Sequence, residues 1–314
     1  MKALRSGPRT LPLGIDLGAS RVRVAHAQRH DDGTIELVAV ATRDHRNDQA
    51  RAIAEAVAEL RTRERRCIFG LGEPSALLRG VRFPPMRRGE QERAARFEAT
   101  KFIDFPIAEA AVRVVPTVSG ESVIGVVRKN AIASLVSIAH AAKLRVTAVD
   151  NNSFAFRRAI PDADAVLDIG LDDSRLLVFR GSIPVERRFA VGGQAFTRAI
   201  ARAFGYDEAT AERRKLTHGI AGCAEAELDS LAADVANALV DCRLDGIGDV
   251  RSIALAGNGS RVAELPAVLE RATGVRVRLV TLDPTVSSTL PPDVLRAGAA
   301  DWSLAYGLAQ WTQA

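Results

Sequence analysis

Cysteine, lysine and aromatic residues are scarce in this chain of 314 residues, and it has no long uninterrupted apolar run. Cys67, Cys223 and Cys242 are odd in number and lie at no metal-ligand spacing, which indicates reduced, packed thiols. A membrane-spanning helix needs roughly 18–20 consecutive apolar residues, and a signal peptide needs an apolar core that the N-terminus lacks. The sequence therefore predicts a cytoplasmic protein without a membrane span.

The positive charge of the chain comes almost entirely from arginine, and the formal net charge is +5. Two basic clusters, residues 61–66 and 86–96, contain interleaved acids or flank a loop, which is typical of solvated surface. Aromatic residues make up only 5% of the chain, so the stacking side chains that nucleic-acid binding uses are few. No nucleic-acid partner is expected.

Two segments of the chain share one pattern. Residues 11–26 and 165–181 each contain an apolar run, then Asp-x-Gly, a short polar turn and a second apolar run. This pattern predicts two β-hairpins, with strands at 13–17 and 22–27 and at 166–169 and 175–179. Related hairpins about 150 residues apart predict two similar α/β halves.

The segments between the hairpins alternate helix and strand patterns. Asp48 can cap a helix whose apolar stripe contains Ile53 and Val57. Further predictions are a helix from residue 130 with a strand at 145–150, a helix at 194–205, a helix at 224–243, a strand at 252–257 and a helix at 261–274. Between residues 79 and 127, a helix at 90–102 and strands at 111–115 and 122–127 predict a small inserted α+β subdomain.

An Asp-x-Gly turn in a hairpin suits phosphate and metal binding. Its backbone N–H groups are exposed, glycine permits close approach, and the carboxylate can hold Mg²⁺ through water. Asp16 with Gly18, and Asp168 with Gly170, are the candidates. One such turn alone would be interpreted as ordinary turn chemistry, but two in facing halves favour a nucleotide cleft. A third glycine turn, within residues 254–262, joins a strand to a helix where a base or sugar could lie.

Together these motifs resemble those of the actin-like ATPase superfamily and, within it, the type IV pilus assembly PilM family, which is related to FtsA. "GIDLGASRVRVA" is similar to the first phosphate motif, and "LDIGLDDSRL" is similar to the second. The likeness implies Asp16 and Asp168 as metal-binding residues. Arg23 stands where the family usually has a phosphate-binding lysine. The other residues implied to contact phosphate are Gly18, Ala19, Ser20, Gly170 and Ser174.

The most specific likeness lies in "VGGQAFTRAIARAFGYDEATAERRK". Glu212 and Lys215 lie one helical turn apart on one face, and the resemblance implies that they contact the ribose or adenine side. "AGNGSRV" is similar to the adenosine motif, with asparagine where a third glycine is common. The nucleotide-binding residues implied by these two motifs are Gly192, Gly193, Glu212, Lys215, Gly257, Asn258 and Gly259.

The resemblance covers about residues 11–310. It implies an α/β fold of the actin-like type, a duplicated, ribonuclease H-like ATPase with two lobes. Residues 11–80 and 128–164 would form the first lobe, and 81–127 an inserted subdomain of the FtsA/PilM type. Residues 165–310 would form the second lobe, with a small helical subdomain at 206–250.

The resemblance also implies a function. ATP and Mg²⁺ would be the cofactors, with at most slow hydrolysis, because no residue stands out as a water-positioning base. The protein would be a cytoplasmic scaffold of type IV pilus, or related competence or secretion, assembly. It would bind a short cytoplasmic N-terminal peptide of a PilN-like inner-membrane protein and be recruited peripherally to the inner membrane by that contact. The resemblance leaves self-association open.

Three alternatives remain at this point. An FtsA-like division protein would usually carry a C-terminal amphipathic anchor, whereas this chain stops at "GLAQWTQA". A small-molecule kinase on the same fold would transfer phosphate. A degenerate relative would have lost nucleotide, and Asp172 and Asp173 bear on this alternative because two carboxylates beside a phosphate turn repel nucleotide unless Mg²⁺ or arginine neutralises them.

Overall fold

The computed structural model describes residues 7–45, 47–117, 120–181, 183–220, 222–281, 290 and 292–312. Its strands are β1 (Arg9–Thr10), β2 (Leu13–Leu17), β3 (Arg21–Arg29), β4 (Ile35–Asp44), β5 (Arg66–Leu71), β6 (Ala76–Val81), β7 (Ala110–Pro116), β8 (Ser122–Arg128), β9 (Arg145–Asn151), β10 (Ala165–Ile169), β11 (Ser174–Val178), β12 (Val185–Phe189), β13 (Ser252–Ala256) and β14 (Arg276–Leu279).

Helices cover the faces of the sheets. They are α1 (Gln49–Glu59), α2 (Arg88–Ala99), α3 (Lys129–Ala141), α4 (Asn152–Ala159), α5 (Gly193–Phe204), α6 (Glu208–His218), α7 (Glu225–Leu244), α8 (Leu265–Thr273) and α9 (Pro292–Ala309). None of them, within the described ranges, is long and apolar enough to cross a membrane.

The two larger sheets have the same topology. In the first, β4, β3 and β2 are successively antiparallel, and β2, β5 and β9 are parallel. In the second, β12, β11 and β10 are antiparallel, and β10, β13 and β14 are parallel. Both predicted hairpins and the two similar α/β halves are confirmed by this match.

Apolar residues form a core cluster on each face of the first sheet and a third cluster on the second sheet. Fully buried Leu13 and Ile15 of β2 pack with residues of α1 and α3. A second cluster lies between the two sheets and includes residues of α4 and α9. A third joins the second sheet to α5, α7 and α8. The alternation of buried side chains along β2, Leu13 and Ile15 one way and Gly14 the other, follows from the two-residue period of a strand.

Helix α9 packs mainly on the first lobe, although the prediction placed residues 165–310 in the second. A Cβ on Gly14 would lie 1.9 Å from the Ala305 carbonyl oxygen, so the missing side chain of Gly14 lets α9 approach β2. The Trp302 indole N–H also donates to Thr42 Oγ1 of β4 at 3.3 Å. The predicted boundary is corrected because long-range packing, and not chain order, decides which sheet this helix covers.

The inserted subdomain is a three-stranded antiparallel sheet in the order β6–β8–β7. Ala95 and Ala99 of α2 pack on Ile124 and Val126 of β8. This unit therefore combines one helix with an antiparallel sheet. The predicted start at residue 81 falls inside the structure's sheet, because β6 already pairs with β8 from Ala76 onward. The sequence did not predict β6, because this short and half-exposed strand lacks a clear alternation of apolar and polar residues.

The helices for which the sequence predicted bounds agree with the structure except in two places, and no bounds were predicted for α4, α6 and α9. The helix predicted from residue 261 begins at Leu265, after a short 3₁₀ helix (Asn258–Arg261). Pro266 explains this start, since proline fits the first turn of a helix and not its interior. The helix predicted to reach residue 102 ends at Ala99.

Candidate functional site

A deep cleft lies where the turns of the two hairpins face each other. Its volume is about 880 Å³, within the range of small-molecule sites. Thirteen of the fifteen predicted nucleotide-binding residues line it. They are Asp16, Gly18, Ala19, Ser20, Arg23, Asp168, Gly170, Gly193, Glu212, Lys215, Gly257, Asn258 and Gly259.

The first hairpin turn holds Asp16 at the end of β2. The Gly18 N–H donates to the Arg21 carbonyl at 2.9 Å and closes the turn, which leaves Ala19 and Ser20 exposed. His45, which is buried, supports the turn from below, with its Nε2 3.2 Å from the Gly18 carbonyl oxygen. Gly18 therefore shapes the turn, and the exposed backbone at Ala19 and Ser20 faces the cleft.

The second turn repeats this arrangement. The Gly170 N–H donates to the Asp173 carbonyl at 2.9 Å. The Ser174 hydroxyl is fully buried and donates to the Val191 carbonyl at 2.5 Å. The implied phosphate contact of Ser174 is therefore corrected, because its hydrogen is used in holding the loop before α5.

The turn at residues 170–173 rests on the start of α5. The Gly193 and Gln194 N–H groups donate to the carbonyls of Gly170 and Leu171 at 2.9 and 2.8 Å. A Cβ on Gly192 would lie 2.5 Å from the Leu171 carbonyl oxygen. Gly192 does not line the cleft, so its glycine is explained by this packing and the implied nucleotide contact is corrected.

The Asp172–Asp173 pair proves to be partly neutralised. The Arg188 Nε donates to Asp173 Oδ2 at 2.5 Å, and the Arg175 guanidinium lies 3.6 Å from Oδ1. Asp172 is exposed to solvent. Arginine thus supplies the countercharge that nucleotide binding beside this turn requires.

Lys215 forms a buried clamp between α5 and α6. It is 2% exposed, and its Nζ donates to the Gly193 carbonyl at 3.0 Å and to Thr197 Oγ1 at 2.9 Å. Glu212 Oε2 lies 2.6 Å from the same Nζ and accepts from the Thr197 hydroxyl at 2.6 Å. The clamp fixes the Gly193 turn beside the cleft. Thr197, which also lines the cleft, was not among the residues that the sequence motifs indicated.

The third glycine turn closes the cleft between β13 and the 3₁₀ helix. Gly257 has φ +80°, and a Cβ there would lie 2.6 Å from Asp168 Oδ1. A Cβ on Gly259 would lie 2.4 Å from Ile169 Cγ2. Both glycines are thus required by the close approach of this turn to β10. Asn258 Oδ1 and Asn152 Oδ1 are buried beside the cleft and accept no hydrogen bond from any residue that the structure describes, so both are available to a ligand donor.

Carboxylates dominate the floor of the cleft. Burial raises the pKa of Asp16 above its usual range, against the opposing charge of Arg23. Burial likewise raises the pKa of Asp168 to about 6, against the charge of Arg175. Burial alone would lower the pKa of Arg23, but Asp16 and then Asp301 outweigh it and raise that pKa. Burial disfavours the ionised form of both carboxylates, so a bound cation would stabilise that form.

Arg23 is held between two carboxylates. Its Nη1 lies 3.2 Å from Asp16 Oδ2, and its Nη2 lies 2.6 Å from Asp301 Oδ1. Asp301 belongs to α9, and the sequence offered no signal for it because the contact spans 278 residues. Arg23 lines the cleft, with its charge balanced by these acids.

The donor set suits Mg²⁺ in the presence of phosphate and not a metal held by protein alone. Among the described residues no group of three or more His, Cys, Asp or Glu side chains could hold a metal ion. Mg²⁺ usually keeps several waters and takes one or two carboxylates together with phosphate oxygens. Asp16 and Asp168, one from each half, fit that requirement.

Comparisons with known proteins agree with this geometry. The sequence matches the profile of the family described as type IV pilus assembly protein PilM over residues 14–313. The chain is similar to a structure of a PilM–PilN type IV pilus biogenesis complex, with TM-score 0.84 and 27% identity over 96% of this chain and 98% of that one.

Two more distant structures share the fold alone. The ethanolamine utilization protein EutJ from Carboxydothermus hydrogenoformans has TM-score 0.55 and 12% identity over 98% of this chain and 92% of that one. A diol dehydratase-reactivating factor in nucleotide-free form has TM-score 0.55 and 11% identity over 96% of this chain and 99% of that one. No curated protein matches this chain in sequence.

Two duplicated α/β lobes that enclose a cleft between paired hairpin turns define the actin-like ATPase fold, and the predicted fold class is confirmed. Within that fold, the family match extends over nearly the whole chain. The chain belongs to the PilM family of type IV pilus assembly proteins.

Proposed function

We propose that this chain binds ATP with Mg²⁺ in the cleft between its two halves. The observation that carries the proposal is the pair of Asp-Gly hairpin turns that open onto one cleft of about 880 Å³. Asn152 Oδ1 and Asn258 Oδ1 support it, because buried polar atoms without partners are costly unless a ligand engages them.

Each part of the cleft has its own role in this proposal. Asp16 and Asp168 hold Mg²⁺ through water. Exposed backbone at Ala19 and Ser20 faces the phosphates from the first half, and the Gly257–Gly259 turn lies beside the nucleoside. When bound, Mg²⁺ neutralises part of the phosphate charge. Lys215 lines the cleft and also holds the Gly193 carbonyl in position. In this proposal it therefore acts both as a lining residue and as a positioning residue.

Thermal stabilisation tests nucleotide binding. A ligand that binds only the folded state raises the melting temperature, and saturating Mg-ATP at about 100 times its Kd adds roughly 2.7 kcal/mol. We expect this stabilisation in the wild type and its loss in Asp16→Ala. Asp249→Ala, an exposed acid paired with Arg243, is the matched control and should behave as the wild type. A wild type that Mg-ATP leaves unchanged would instead favour the nucleotide-free alternative.

The proposed task of the protein is scaffolding in type IV pilus assembly. Membership of the PilM family and the likeness to a PilM–PilN complex support a PilN-like partner. The contact in this proposal is a short cytoplasmic N-terminal peptide of that inner-membrane protein. Such a peptide would dock as an extended segment. The protein would then work in the cytoplasm, at the surface of the inner membrane.

Binding of a labelled peptide tests the partner. The probe is a labelled peptide with the sequence of the cytoplasmic N-terminal segment of a PilN-like inner-membrane protein, with a scrambled peptide as control. Saturable binding of the native peptide alone is expected. Equal binding of both peptides would contradict the proposal. Rapid phosphoryl transfer from ATP to a panel of sugars and acids would favour a small-molecule kinase.

A further inference from the structure

The duplication of the hairpins extends to a pair of arginines. Asp16 of β2 lies directly opposite Arg23 of β3. Asp168 of β10 lies directly opposite Arg175 of β11 in the same way. In both halves the arginine follows the acid by the same number of residues in the sequence, so Arg175 is the counterpart of Arg23 in the second half.

The two arginines differ in what holds them. Arg23 is saturated by Asp16 and Asp301, with Nε and Nη2 at 2.7 and 2.6 Å from Asp301 Oδ1. Arg175 makes no such contact. Its nearest carboxylates among the described residues, Asp173 and Glu186, lie at 3.6 and 3.8 Å, and its buried Nε has no hydrogen-bond partner among those residues. Because neither carboxylate is within hydrogen-bond distance, the guanidinium of Arg175 keeps the capacity to bind a further anion.

The side chain of Arg175 lies at the junction of the two lobes. It lines the cleft and is 25% exposed. Its Nη1 lies 3.3 Å from the position that a Cβ on Gly72 would occupy, so it reaches from β11 to the loop after β5 in the first lobe. Its charge acts on both Asp16 and Asp168. Arg175 is also the cross-strand neighbour of Asp168, one of the two acids proposed to hold the metal.

The other cations of the cleft already have close carboxylate partners. Arg21 bonds Asp44 at 2.8 Å. Arg188 bonds Asp173 at 2.5 Å. Lys215 lies 2.6 Å from Glu212. Among the cleft-lining cations that the structure describes, Arg175 is the one whose carboxylate contacts all exceed 3.5 Å.

We propose that Arg175 is the cationic residue that binds the phosphates of the nucleotide, in place of Arg23. The planar fork of a guanidinium matches phosphate oxygens bidentately, and the phosphates would give Arg175 the close anionic partner that its carboxylate contacts at 3.6 and 3.8 Å do not provide. Arg23 then serves to hold Asp16 and Asp301 in position. This inference rests on the proposed nucleotide binding and adds the residue that recognises the phosphates.

The test compares ligands with and without phosphates in wild type, Arg175→Gln, Arg175→Lys and Arg187→Gln. Arg187 lies on β12 outside the cleft, where it bonds Asp245, and is the matched control. Affinities for Mg-ATP, Mg-ADP and adenosine are measured by calorimetry. Arg175→Gln should lower the affinity for Mg-ATP about tenfold or more, because a hydrogen bond to a charged group contributes about that much to binding. The affinity for adenosine should stay within about twofold of the wild-type value. Arg175→Lys should be intermediate, and Arg187→Gln unchanged.

The outcomes separate this inference from the proposed function. If the wild type binds Mg-ATP and Arg175→Gln binds it equally well, the inference is wrong and nucleotide binding stands. Equal losses for adenosine and Mg-ATP would also overturn it, because they indicate a structural role. If the wild type binds no Mg-ATP, both fail. Arg175→Gln could have a lower melting temperature than the wild type without ligand. In that case the affinities of Arg175→Lys, which keeps the positive charge, are compared with those of the wild type instead.

Discussion

A buried glutamate, Glu186, lies next to Arg175 of the cleft. Arg175 and Glu186 form a loose pair on neighbouring strands, 3.8 Å apart, with the Glu186 side chain only 7% exposed. Burial raises the pKa of Glu186 to about 7, which Arg175 opposes and Glu73 increases. A carboxyl with such a raised pKa binds a proton in the folded chain at pH values where the unfolded chain has already lost it.

Glu186→Gln tests that charge through the pH dependence of stability. Because the folded state binds more protons between the usual glutamate pKa of about 4.3 and the value of about 7, the wild type should lose stability as pH rises through this window. At pH 8 the variant should therefore be more stable, by roughly 1–3 kcal/mol, and at pH 4 the two should agree. Urea unfolding at both pH values measures this.

Glu55→Gln provides the comparison for this prediction. Glu55 is an exposed glutamate on α1 that pairs with Arg51, so its replacement should change stability by less than about 0.5 kcal/mol at either pH. A Glu186→Gln variant that is less stable than the wild type at pH 8 would mean that the Arg175–Glu186 attraction outweighs the cost of burying the carboxylate.

At the scale of elements, the position of α9 matters most for the site. It brings Asp301 to Arg23, and its approach to β2 depends on Gly14. Gly14→Ala should push α9 away and destabilise the chain by roughly 1–3 kcal/mol. Gly89→Ala, where a Cβ meets nothing within 4 Å, should be neutral or slightly stabilising because alanine favours a helix. Denaturant midpoints of both variants measure this, and equal midpoints would contradict the packing.

Local pattern predicts the hairpins well and the packing of elements poorly. Some features depend only on residues that are close in sequence, and the structure has each of them: the Asp-x-Gly turns, the Asp48 cap and the helix end at Gly205. The placement of α9 depends on contacts with residues nearly 300 positions away, which no local pattern contains. Ser174 fits a hydroxyl position in a motif, but only the fold shows that its hydroxyl points into the protein.

At the scale of the whole molecule, duplication explains the site. Two sheets of the same order present equivalent turns to one cleft, each with an acid opposite an arginine. The sequence predicted the two halves, and thirteen of its fifteen nucleotide-binding candidates line the cleft. It did not reveal that the two arginines have different partners, because Asp301 reaches only the first of them through the fold.

A structure of the chain crystallised with Mg²⁺ and a non-hydrolysable ATP analogue tests the central claim most directly. The account predicts nucleotide density between the two hairpin turns, with Mg²⁺ linked through water to Asp16 and Asp168 and with phosphate oxygens in contact with Arg175. An empty cleft at saturating analogue, or a nucleotide bound elsewhere on the chain, would contradict it.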